Sequence, residues 1–206
     1  MTTVLGFKSL ATGIVLLAAV SACGSNDADP SPTPTTSTSV PTAPTTSASP
    51  TSPSAQASSD AEAAVRRYYA VLDELGGDPT TGLSKLRTVA TSTQLSTMRT
   101  VLRQQHARHE RQTGSLVVAD TKVQSVSLDN SDPSAGKAPA VVIDVCWDVS
   151  KVDVLNSKGK SVISPSRPDR GWTRLTVANY KYAADPRGGW RVASGQDLKQ
   201  APCAAS

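Results

Sequence analysis

From residue 60 onward the apolar residues change their spacing once. Val65, Tyr68, Tyr69, Leu72 and Leu75 recur at helical spacing, which predicts a first helix with one apolar stripe. Ser59-Asp60-Ala61-Glu62 reads as its capping box, and Gly76-Gly77 as its stop. Leu83, Leu86 and Val89 predict a short second helix over 83–90. Thr91-Ser92-Thr93-Gln94 is a second capping box. It opens a third helix to about Gln112, with Leu95, Met98 and Leu102 inward and Gly114 ending it. After Gly114 the period becomes two. Ser115 to Leu128 reads as a long strand with a phase slip, the mark of a bulge. Ala138 to Val154 is the strongest strand: Val141, Ile143, Val145, Trp147 and Val149 share one face, and Val142, Asp144, Cys146 and Asp148 the other. Asn156-Ser157-Lys158-Gly159 predicts a turn and a brief return at Ser161 to Ser164. Strands follow at Trp172 to Tyr182 and Trp190 to Ser194, joined through Asp185-Pro186-Arg187-Gly188-Gly189.

The pattern before residue 60 is different. Leu10 to Val20 is an apolar run of 11 residues behind a weakly basic start with Lys8. It is too short to cross about 30 Å of hydrocarbon as a helix and fits the core of a signal peptide. Val20-Ser21-Ala22-Cys23 matches a lipobox: aliphatic, small, small, then the cysteine that receives diacylglycerol. Residues 1–22 are therefore expected to be a lipoprotein signal peptide and Cys23 the lipidated residue. Two acyl chains suffice for stable anchoring. From residue 24 to 59 the chain is Ser, Thr, Pro and Ala almost throughout, with seven of the fourteen prolines and Val40 as the only branched aliphatic. Such a composition cannot offset ordering entropy by burial. It predicts a disordered linker over 23–59, with a reach between roughly 35 Å as flexible coil and roughly 110 Å fully extended. Residues 60–206 are left as one domain of ordinary size.

Cysteine and charge add to this. With Cys23 lipidated, Cys146 and Cys203 remain, and an even pair in an exported domain reads as a disulfide. The alternative, two buried free thiols, suits a cysteine in a polar tail less well. The chain carries a net charge of +4. Most of its charged residues lie after residue 60, with basic ones in excess. That is compatible with a surface near anionic lipid or wall polymer, and equally with a solvated basic surface.

Helices followed by a meander of strands predict an α+β fold, with three N-terminal helices covering one face of a curved antiparallel sheet of four or more strands. In this order the chain resembles the cone-shaped superfamily of nuclear transport factor two-like domains over roughly residues 60–198. It also resembles small actinobacterial lipoproteins in which a Ser/Thr/Pro stalk precedes such a domain. The stretches that match are Val20 to Cys23, Cys146-Trp147-Asp148-Val149-Ser150, the turn at Gly159, and Gly189-Trp190-Arg191-Val192. The resemblance implies a pocket walled by the first helix, and Tyr68, Tyr69, Asp144 and Trp147 are expected to line it. Enzymes of the superfamily, such as ketosteroid isomerases, polyketide cyclases and scytalone dehydratases, set Asp, His and Tyr side chains to acid–base work in that pocket. Here the cast for such chemistry is Tyr68, Tyr69, Asp144, Asp148, Tyr180 and Tyr182, and no family catalytic pattern matches them residue by residue.

Other chemistry has less support. His106 and His109 are the only histidines, and with Glu110 they form His-Ala-Arg-His-Glu. That is not a zinc spacing, and beside Arg103, Arg108 and Arg111 it reads as a basic helix end. No phosphate loop, nucleophile elbow or Cys-x-x-Cys pair is present. No cofactor or metal and no nucleic-acid partner is expected. The Arg167-Pro168-Asp169-Arg170 loop reads as solvated. The expected role is a non-catalytic binding or interaction module on the extracytoplasmic face of the cell membrane. It is held there by its lipid and faces an envelope protein or a small apolar ligand. The alternatives are a small exported isomerase or cyclase-type enzyme and an accessory subunit of an envelope transport system.

Overall fold

The computed structural model describes residues 52–204. The signal segment, Cys23 and nearly all of the linker lie outside the described residues. The elements in chain order are α1 (Pro53–Gly77), a 3-10 segment (Leu83–Thr88), α2 (Ser92–Ala107), β1 (Arg111–Thr113), β2 (Val117–Ser127), a 3-10 turn (Pro133–Ala135), β3 (Ala140–Asp148), β4 (Asp153–Leu155), β5 (Arg170–Ala178) and β6 (Arg191–Leu198). The fold is α+β, and both of its sheets are antiparallel. β2, β3, β5 and β6 form a four-stranded sheet in that order, and β1 pairs with β4 in a separate two-stranded sheet.

α1 begins at Pro53, so the end of the expected linker is helical and the domain starts earlier than residue 60. Ser52 is the N-cap, its hydroxyl accepting from the Ala55 amide at 3.2 Å, and Pro53 occupies the first turn, where its missing N–H costs nothing. Ala57 and Ala61 are buried, so this extra length is held by packing as well as by propensity. Glu62 does not cap the helix: its carboxylate accepts from Thr121 Oγ1 at 2.9 Å, tying α1 to β2. The expected stripe is the buried face, with Val65, Tyr68, Tyr69 and Leu75 all in the core. The helix stops at Gly77, as the glycine pair predicted.

Two of the three expected helices change. The second is a 3-10 segment. The backbone after it is captured by β6, Thr91 N–H donating to Val192 O and Val192 N–H to Val89 O, each at 2.9 Å. Residues 89–91 therefore cannot extend a helix. The third ends at Ala107 rather than Gln112 because Arg111, Gln112 and Thr113 pair with Leu155, Val154 and Asp153. His109 turns the chain with a positive φ of 53°. It lies beyond the helix, so the expected i, i+3 histidine pair on one helix does not form.

The strands follow the alternation closely. β2 carries two register shifts, at Val118/Asp120 and Val123/Ser125, the predicted slip made into bulges. Val141, Ile143 and Val145 are fully buried on the inner face, and Asp144 and Cys146 are buried on the outer one. The long strand expected over Ala138 to Val154 breaks after Asp148, because residues 153–155 leave the main sheet to meet β1. β6 runs four residues past Ser194, to Leu198. The β5–β6 connection is built around buried Asn179, which donates from Nδ2 to Asp185 O at 2.7 Å. A Cβ at position 189 would sit 2.1 Å from Asn179 Oδ1, so Gly189 is required there. Among the described residues no helix is long and apolar enough to cross a membrane.

Candidate functional site

α1 packs against all four strands of the main sheet, and α2 against β6. At the end where β3 runs out, a cleft of about 400 Å³ opens between α1, α2 and the sheet. Its apolar wall is Leu72, Met98, Leu116 and Leu175, and its aromatic wall is Tyr68, Tyr69 and Trp147. This is the size range and lining of a small-ligand pocket.

Tyr68 and Tyr69 are consecutive residues on the buried side of α1, and their rings meet edge to face with centroids 5.1 Å apart. The Tyr68 hydroxyl accepts from Gln94 Nε2 on α2 at 2.5 Å. Burial pushes the Tyr68 phenol up to about 12, partly offset by that hydrogen bond. Burial also pushes Tyr69 up, and the neighbouring Tyr68 and Asp197 add to it. Both hydroxyls are therefore neutral at physiological pH.

The sheet contributes a polar relay across three strands. Trp147 Nε1 on β3 donates to Thr173 Oγ1 on β5 at 3.1 Å, and that hydroxyl donates to Asp197 Oδ1 on β6 at 2.7 Å. Thr173 stands opposite Asp197 in the β5–β6 register and opposite Val145 in the β3–β5 register, which puts all of these side chains on the inner face. The Trp147 indole lies over Gly171, where a Cβ would come within 2.4 Å of Cζ2. Only glycine lets the ring take this position. Arg167 and Pro168, from the loop ahead of β5, close one side of the cleft. The Arg167 guanidinium is held there by two main-chain acceptors, Val149 O and Val152 O, both at 2.9 Å from Nη2.

Three of the four residues expected in the pocket are in it: Tyr68, Tyr69 and Trp147. Asp144 is not. It projects from the opposite face of β3, where Arg174 of β5 grips it with two bonds of 2.6 and 2.8 Å. Alternation alone puts Asp144 and Trp147 on opposite faces, since they are three residues apart on one strand. Asp148 also faces outward. Hydrogen bonding from Ser150, then from Arg170, lowers its carboxyl to about 2. Tyr180 is exposed, and Tyr182 packs edge-on against Trp190. His106 places its Nε2 2.8 Å from Leu75 O at the end of α1. Among the described residues, no three His, Cys, Asp or Glu side chains cluster as a metal site.

Asp197, Thr173, Gln94 and Arg167 were not singled out as pocket residues from sequence. Thr173 was within reach, because it alternates with Leu175 and Val177 on β5. Asp197 was hidden by ending the last strand at Ser194. Arg167 sits in a loop whose conformation no period describes.

On the outer face, Cys146 and Cys203 form a disulfide-capable pair, with Cα atoms 6.1 Å apart. Lys122 Nζ lies 4.5 Å from the centre of the Trp172 ring beside it.

No family model matches the chain, and no curated protein matches it. Among solved structures it is similar to the one described as the crystal structure of the intermembrane space region of chloroplast protein ARC6. The identity is 15%, the match covers 67% of this chain and 93% of that one, and the TM-score is 0.45.

Proposed function

We propose that the described domain is a non-catalytic binding module that takes a small, largely apolar ligand in the cleft between α1 and the inner face of the sheet. The observation that carries this reading is the cleft itself. It is about 400 Å³, with aromatic and aliphatic walls and a few polar groups fixed by hydrogen bonds among them. The same arrangement supports a cone-shaped domain of the nuclear transport factor two-like kind. An isomerase or cyclase would need a carboxylate and a hydroxyl aimed at one reacting atom, with pKa values near the working pH. Here the Asp197 carboxylate is bonded by Thr173 and the Tyr68 hydroxyl by Gln94, and the Tyr68 phenol stays protonated to about 12. These partners favour holding a ligand over moving a proton.

The reading extends to the whole chain. Val20-Ser21-Ala22-Cys23 supports a diacylglycerol anchor at Cys23, and the Ser/Thr/Pro stretch supports a stalk that carries the domain away from the extracytoplasmic face of the membrane. Phenylnaphthylamine, a neutral fluorophore that brightens in apolar sites, tests the pocket. The full-length protein is expected to bind it saturably, and Met98→Trp, which fills the cleft from α2, to abolish binding. Absence of saturable binding to the unmodified protein, with no small molecule retained in native mass spectrometry, would end the proposal. The anchor is tested separately: Cys23→Ala is expected to remove a diacylglycerol mass shift from the protein, and a Cys23→Ala protein that stays membrane-bound with its mass shift unchanged would remove the lipidation reading.

A further inference from the structure

The binding reading leaves the chemistry of the ligand open, and Arg167 narrows it. Both hydrogen bonds of this side chain use Nη2 and go to main-chain carbonyls, Val149 O and Val152 O. Those bonds fix the guanidinium but do not neutralise it. Its Nε–H is shielded from solvent and has no acceptor. The carboxylate nearest to forming an ion pair is Asp169, whose Oδ1 is 3.9 Å from Nη2 on a side chain 64% exposed. That is too long for a hydrogen bond, and the attraction is screened by water. A cation is therefore held rigidly, with little local compensation, on the rim of a cleft that is otherwise aromatic and aliphatic.

The other ionisable groups bordering the cleft are Tyr68, Tyr69 and Asp197. The tyrosines are neutral. Asp197 would oppose an anion, but its carboxylate already accepts from Thr173 Oγ1 at 2.7 Å, it stands two strands from β3, and among the described residues no ion pair joins it to Arg167. An anion at the Arg167 end thus meets a pre-ordered cation. The entropy of ordering that side chain has already been met by its two carbonyl contacts. The low-dielectric walls strengthen the attraction, and a contact between a guanidinium and an oxyanion is charge-assisted and stronger than a neutral one.

We infer that the cleft selects amphiphiles whose apolar body carries one oxyanion of the carboxylate or sulfonate class, held against Arg167. This rests on the binding reading above, and the test separates the two. Anilinonaphthalene sulfonate and phenylnaphthylamine share a ring system and differ in the sulfonate. In fluorescence titrations of the full-length protein, the sulfonate is expected to bind about tenfold more tightly, the difference one charge-assisted contact supplies. Arg167→Met is expected to remove that preference, the two probes then binding the variant within about twofold of each other, while Asp197→Asn raises sulfonate affinity a few-fold by removing the opposing charge. Equal affinities of the two probes for the unmodified protein would overturn the inference while leaving the pocket intact. So would a preference that survives Arg167→Met, which would place the sulfonate on basic groups elsewhere. If neither probe binds the unmodified protein, the binding reading falls and the inference falls with it.

Discussion

The two faces of β3 solve opposite problems with neighbouring residues. Inward, Val141, Ile143 and Val145 are fully buried against α1, and Trp147 extends the face into the cleft. Outward, Asp144 and Asp148 are each paired across the strand with an arginine of β5, Arg174 and Arg170, and Cys146 lies against Cys203 of the tail. The inner face is held by area removed from water, which is non-directional. Among the described residues the outer face has no helix over it, and directional ion pairs and a disulfide-capable cysteine pair lie there instead. The contrast teaches that the carboxylates most conspicuous on the strongest strand are structural. The polar groups of the cleft come instead from β5, β6 and a loop.

The difference between the two faces has measurable consequences. The largest effect is expected on the outer face. With the Cys146–Cys203 bridge formed, Cys203→Ser destabilises the domain by up to about 4 kcal/mol, from the loop entropy of a 57-residue separation, as read by urea unfolding. An unchanged midpoint would mean that the tail is not a clamp. Next comes the inner face: Ile143→Ala, at a site with no exposure, costs about 3 kcal/mol through lost transfer energy and a cavity. Third is alkaline pH. The Tyr68 phenol ionises near 10 when unfolded and about 12 when folded. The stability from its burial is complete below pH 10 and is lost as pH rises from 10 to 12, by about 2 kcal/mol. Tyr68→Phe should flatten that limb in part, with Tyr69 continuing it, and an unaltered alkaline limb would show that the ring is not sealed. The smallest effect discriminates best. Asp144→Ala, which removes the outer-face pair with Arg174, should leave phenylnaphthylamine affinity unchanged, whereas a loss would return Asp144 to the pocket. On the acid side, the lowered Asp148 carboxyl contributes stability above the ordinary carboxylate range, and this fades as pH falls toward 2.

Most of the sheet was legible because a period of two is a local property. Val141, Ile143 and Val145, the slip in β2 and the turn at Gly159 could all be read from neighbouring residues. The buried stripe of α1 was legible for the same reason at a period of 3.6. The helix ends were not. Leu83 to Ala90 looked helical until β6 claimed its backbone, and the end of α2 depended on a strand partner some forty residues away, at Asp153–Leu155. The α1 start was masked by composition, since Ser, Thr, Pro and Ala describe both the linker and the first turns of the helix. In the pocket, Tyr68, Tyr69 and Trp147 lay on apolar stripes and could be named. Asp197 and Arg167 lay on none.

By itself the sequence determined which residues face a core, where the period changes from helix to strand, that two cysteines are left to pair once Cys23 is set aside, and that the stretch from residue 24 to 52 is built from residues that bury little. Each of these follows from side-chain chemistry and spacing along the chain. Only the tertiary structure decided that Asp144 belongs to Arg174 and not to the cleft, that the Arg167 guanidinium is held by the carbonyls of Val149 and Val152, and that Thr173 links Trp147 to Asp197. These depend on register between strands and on the path of a loop. A one-residue shift in register moves every side chain to the other face of the sheet.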